Sequence, residues 1–153
     1  MTINNPSEAI AIYLRAKHEI DEAENCVFKL IKETNLAYFK AQRAVQAAWN
    51  GKVWTPYGGD PIGSSGFDTF EIKSSDEFGF TVELTEKDRD GDTLTWTIKV
   101  PFKPEAMTAF VSDFQDTLTA SYRAKYDDDQ ADKLAKRRQE YLKLRREFGD
   151  NAV

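Results

Sequence analysis

The stretch YLRAKHEIDEAENCVFKLIKETNLAYFKAQRAVQAAW, residues 13–49, decides the fold. Read in alternating steps of three and four it gives Tyr13, Ala16, Ile20, Ala23, Val27, Leu30, Thr34, Ala37, Ala41, Ala44 and Ala48, a seam without a single charge. This coiled-coil spacing keeps one helix face turned toward a partner helix. A helix from about Ser7 to Trp49 is roughly 65 Å long at ~1.5 Å per residue, whereas a compact domain of this size is only ~40 Å across. The seam therefore predicts an elongated molecule. Asn5 or Ser7 can cap the helix, Pro6 suits its first turn, Glu8 suits its positive end, and Asn50-Gly51 is a stop signal.

Outward from the helix, residues 50–66 are rich in Gly, Pro and Ser, which predicts a long loop. Alternation then switches to period two. Phe70 and Ile72, then Phe78, Phe80, Val82 and Leu84, then Leu94, Trp96, Ile98 and Val100 predict a three-stranded antiparallel meander over 67–102. The residues between them are largely threonine and charged, so one sheet face packs on helix and the other meets water or a partner. Pro101 and Pro104 end the sheet. Met107, Phe110, Val111, Phe114, Leu118 and Tyr122 then form a helical stripe, followed by Leu134, Tyr141, Leu144 and Phe148, and the pattern leaves open a break at Asp127-Asp128-Asp129. The expected class is α+β with the order α-β-β-β-α, in one elongated domain over 1–153: helix 7–49, loop 50–66, sheet 67–102 and helical region 104–148. Since the two helical regions match in length, the expectation is that the second packs back on the first as an antiparallel hairpin. The same alanine-rich seam would equally accept a second copy. This element order resembles that of the small bacterial nucleoid-associated proteins of the YbaB type, which are dimers, although no motif is shared and fold does not fix function.

The 153 residues carry 41% apolar side chains, 12% aromatics and a net charge of −5. Those numbers suffice for a core and give no general attraction to nucleic acid or anionic membrane. No apolar run approaches the ~18–20 residues needed to span a bilayer, and Met1 to Glu8 lacks the features of a secretory signal. A lone cysteine, Cys26, permits no internal disulfide and is read as a buried structural thiol. The expectation is a cytoplasmic protein with no membrane contact.

Site chemistry is sparse. Asp88, Asp90 and Asp92 alternate like the start of a calcium loop, but Gly91 precedes the third acid and Lys99 stands where a bidentate glutamate is needed, so a hairpin turn is the plainer reading. His18, the only histidine, lies eight residues from Cys26, ~12 Å along the helix, and forms no dyad with it. Gly58, Gly59 and Gly63 lack the lysine of a phosphate loop. No catalytic residue, metal or cofactor is expected. The expected activity is that of a non-enzymatic protein-binding or assembly module, such as an inhibitor, adaptor or chaperone encoded by a phage or mobile element. Its partner is another protein or a second copy. Trp54, Tyr57, Ile62, Asp88, Asp90 and Asp92 are the candidate contacts, with Trp54, Tyr57 and Ile62 serving either as anchors for a partner or as staples for their own loop. The alternative is a nucleic-acid-associated dimer that grips phosphates through Arg137, Arg138, Arg145 and Arg146 on the basic last helix, whose acid-first, base-last order also suits an ordinary solvated helix.

Overall fold

The computed structural model describes residues 5–54 and 59–149. Helix α1 (Pro6–Ala48) opens under an Asn5 cap, whose side chain accepts from the backbone N–H groups of Ser7 and Glu8, and Gly51 takes φ +76° just beyond its end. Strands β1 (Thr69–Ser75), β2 (Gly79–Lys87) and β3 (Thr93–Pro101) form one antiparallel sheet in the order β1-β2-β3. A turn of 3₁₀ helix over Pro104–Ala106 leads into α2 (Met107–Phe148), which runs unbroken through the three aspartates. The α+β class and the α-β-β-β-α order are those expected.

The sheet alternates as its sequence dictates. Phe80, Val82, Leu84, Trp96, Ile98 and Val100 turn inward, while the threonine and charged face points away. Phe78 departs from the pattern: it lies in the turn before β2 and is 62% exposed. Where β2 pairs with β3, Gly79 lies opposite Pro101, and a Cβ on Gly79 would come within 2.2 Å of the Val100 carbonyl oxygen. Only glycine fits there.

The long loop makes the return journey along α1. Gln46 donates to Asp60 (2.7 Å), Gln42 exchanges two hydrogen bonds with the backbone of Ile62 (2.8 and 2.9 Å), Asn35 donates to the carbonyl of Ser64 (3.0 Å), and Phe28 meets Phe67 edge-on (5.4 Å). As the loop number rises, the α1 number falls. Strand β3 then runs with α1 again: the indole N–H of Trp96 donates to Asn35, and the Tyr38 hydroxyl donates to the carbonyl of Lys99.

Consequently α1 and α2 point the same way and do not form the expected hairpin. Tyr38 stacks edge-on with Phe114 (5.1 Å), Val45 clusters with Leu118 and Tyr122, and Trp49 meets Tyr126 (5.9 Å), so both numbers rise together. Matching lengths suggested a return by α2, but the loop had already brought the chain back. The buried stripe of α1 is also displaced from the expected seam. Ile31, Thr34, Asn35, Tyr38, Ala41, Gln42 and Val45 are buried, whereas Ala44 and Ala48 are exposed. The sheet and α2 cover part of this face and the backbone of the loop covers the rest, so two amide side chains that bond that backbone belong in it.

Candidate interaction surfaces

The loop anchors divide. Trp54 is 79% exposed, Tyr57 lies outside the described residues, and Ile62 is 2% exposed. Ile62 is therefore a staple and not a surface anchor, because both of its backbone polar groups are taken by Gln42 inside the core.

At the β2–β3 turn the Asp88 carboxylate accepts from the backbone N–H groups of Asp90 and Asp92 (both 2.9 Å), with Gly91 at φ +83°. That is the turn chemistry of an Asp-Gly hairpin. Asp90 and Asp92 are exposed at the tip. Among the described residues no cluster of three or more His, Cys, Asp and Glu side chains is arranged to hold a metal ion.

Between β3 and α2 lies an open groove of about 650 Å³, lined by Tyr38, Ile98, Phe110, Asp113, Phe114 and Leu118 among others, which the strand and helix patterns did not announce. Burial, with Asp113 nearby, pushes the Tyr38 phenol up to about 12. Lys99 caps one side, its ammonium 5.9 Å from the Phe110 ring and paired with Asp76. The hydrogen bond from Lys99, joined by the Phe78 N–H, holds the Asp76 carboxyl below its ordinary value. The only clue in the sequence was the inward period of Phe110 and Phe114, which reads equally as core.

Among the described residues, two lengths of helix have almost no cover. From Pro6 to Cys26 every residue of α1 except Ala9 is exposed, and from Asp127 to Phe148 every residue of α2 is exposed. Each arm is about 32 Å long at ~1.5 Å per residue. Because the helices run the same way and meet through the Tyr38–Phe114 and Trp49–Tyr126 contacts, the arms leave the packed body in opposite directions. Cys26, expected to be buried, is exposed at the root of the first arm, where none of the described residues covers it. On the second arm, Arg137, Arg138, Arg145 and Arg146 are all exposed. Successive residues are ~100° apart around a helix, so Arg138 and Arg145 share a side while Arg137 and Arg146 face elsewhere. Arg145 also lies 5.8 Å from the Tyr141 ring.

Among the described residues no helix is long and apolar enough to cross a membrane. Comparison of the chain with protein-family models, curated proteins and solved structures gave no match.

Proposed function

We propose that the protein is a non-enzymatic binding or assembly module whose working surfaces are its two helical arms. One observation carries this reading. Ile10, Tyr13, Leu14 and Ile20 on one arm, and Leu134, Tyr141, Leu144 and Phe148 on the other, are between 44% and 65% exposed. Apolar side chains repeated at helical spacing on an uncovered helix are what a helix-in-groove or helix-pairing contact uses. An isolated helix of this length draws little stability from its own propensity, so a covering partner would also stabilise it. Inhibitors, adaptors and assembly chaperones of the kind that phages and mobile elements encode act by such occupation of surfaces. The test is partner capture with arm variants. Tyr141→Glu with Leu144→Glu, or Tyr13→Glu with Ile20→Glu, is expected to remove captured partners while the thermal midpoint stays unchanged. If both pairs of substitutions leave the captured proteins unaltered, the arms are not the working surfaces.

The second reading rests on Lys133, Lys136, Arg137, Arg138, Lys143, Arg145 and Arg146, which are all exposed along the same arm of α2. Such a helix could track a phosphate backbone. Duplex DNA or RNA binding at low salt that falls steeply as salt rises, and that disappears on charge reversal of the four arginines, would establish it. Absence of binding at low salt removes it.

A further inference from the structure

We infer that the α1 arm is covered by the α1 arm of a second copy of this chain, in an antiparallel, two-fold dimer. The inference rests on reading the arms as binding surfaces, and it names the occupant of one of them.

The face concerned continues an interface the fold already uses. Inside the body α1 turns Val27, Ile31, Thr34, Tyr38, Ala41 and Val45 toward the sheet, loop and α2. The same steps of three and four carried back from Val27 give Ala23, Ile20, Ala16, Tyr13 and Ala9. Thus the apolar face does not end where its cover ends. At the boundary there is an open cleft of about 530 Å³ between α1 and the sheet edge at β1, with Ile20, Ala23, Val27 and Phe28 on one wall and Phe70 and Ile72 on the other. Phe28 and Ile72 are 42% and 50% exposed.

Side-chain size selects the direction of pairing. Along the arm, large and small residues alternate: Ala9, Tyr13, Ala16, Ile20, Ala23, Val27. Antiparallel pairing about a two-fold axis near His18 sets Ala9 against Val27, Tyr13 against Ala23 and Ala16 against Ile20, one large and one small side chain in every layer. Close packing requires that kind of complement. Parallel pairing would stack Tyr13 on Tyr13 and Ala16 on Ala16, leaving alternate crowding and voids, and would bring Glu19 beside Glu24. In the antiparallel pair Lys17 reaches Glu24 of the second copy. Lys17 and Glu19 each approach their own symmetry mates near the axis, where both side chains extend into water.

The packed part of each chain begins at Val27, level with Ala9 of the other arm, so Pro6, Ser7 and Glu8 of that arm run alongside the first turn of the body. Tyr13 of the second copy arrives at Ala23, inside the cleft beside β1. The contact uses the same patch on both copies, so it closes as a dimer and does not propagate.

The experiment is sedimentation of the full chain over a wide concentration range, joined to a disulfide trap. The wild type is expected near twice 17.5 kDa, about 35 kDa. Ile20→Glu is expected to return it to the monomer mass with the thermal midpoint of the body retained, since Ile20 is more than half exposed in one chain. With Cys26→Ser, the pair Tyr13→Cys and Ala23→Cys is expected to give a covalent dimer on oxidation. Within one chain those two positions are ~15 Å apart along the helix, beyond the reach of a disulfide. A wild type that stays monomeric throughout overturns the inference. So does a dimer that survives Ile20→Glu but is lost on Leu134→Glu with Tyr141→Glu, or a series of species growing with concentration, which would mean head-to-tail pairing of α1 with α2. A monomeric wild type whose arm variants still lose a captured partner leaves the arm reading standing and refutes only the second copy.

Discussion

The two halves of α1 reverse the usual assignment of residues to inside and outside. Between Ile31 and Val45 the helix buries Thr34, Asn35 and Gln42 at 0%, 0% and 1% exposure, while between Ile10 and Ile20 it leaves Ile10, Tyr13, Leu14 and Ile20 more than half exposed. Both halves are regular helix in one unbroken element. The difference lies in what the rest of the chain brings to them. The returning loop offers backbone groups along the second half, and amide side chains can satisfy those groups where leucines cannot. Toward the first half, among the described residues, this cover thins to an open cleft in which Phe70 and Ile72 face Ile20, Ala23 and Phe28, and Phe67 meets Phe28. Hydrophobic patterning marks the faces that need cover, and topology decides which of them receive it.

Truncation tests this contrast most strongly. Leu84→Ala, in the centre of the sheet at 0% exposure, is expected to cost about 3–4 kcal/mol in urea unfolding. At concentrations low enough to keep copies apart, Ile20→Ala on the arm is expected to cost under about 0.5 kcal/mol. Equal costs would mean the arm is packed within one chain and would break the comparison.

Next comes the reversed polarity. Gln42→Leu fits the volume but strands the N–H and carbonyl of Ile62, so a loss of about 2–3 kcal/mol is expected. A stabilised variant would show that burial alone rules this half of the helix. A smaller effect belongs to the cap: Asn5→Ala is expected to cost about 1 kcal/mol locally. At the same low concentration it should appear as faster amide exchange in the first turns of the arm, with no change in the global midpoint, because the arm then opens on its own. A shift of the global midpoint instead would tie the arm to the body.

The smallest effects come from titration, and both arise in the body. Tyr38 keeps its proton to about 12 against an ordinary 10.0. Between these values the unfolded chain ionises first, so stability should fall with rising pH, and Tyr38→Phe should flatten that limb. Asp76 is held below its ordinary 3.8 by Lys99, so its contribution is present above 3.8 and is lost as pH falls below it. Asp76→Asn should reduce that acid-side loss.

The element order was legible because each element carries its own period: threes and fours in α1, twos in the strands, punctuation at Asn50-Gly51 and at Pro101 and Pro104. The Asp-Gly turn was legible for the same local reason. What could not be read was set by partners distant in sequence. The Asn35 and Gln42 amides look like solvent-facing residues until Ser64, Ile62 and Trp96 are placed beside them. Ile62 looks like a loop anchor until Gln42 pulls it inward. The relative direction of the helices depended on which segment made the return journey, and equal helix lengths are silent on that. The seam was right in its spacing and off by one position in its centre, a displacement that alanines, small enough to serve on either side, do not mark.

Because α1 and α2 share a direction, the outer ends of the two helices stand at opposite poles, on the order of 90 Å apart if the helices cross at a shallow angle. A hairpin would have set both beside the same neighbour. A second copy paired on the α1 arm and a partner held near Phe148 would be kept apart by a stiff strut with the sheet riding at its middle, and a fluorophore at each pole would report its length.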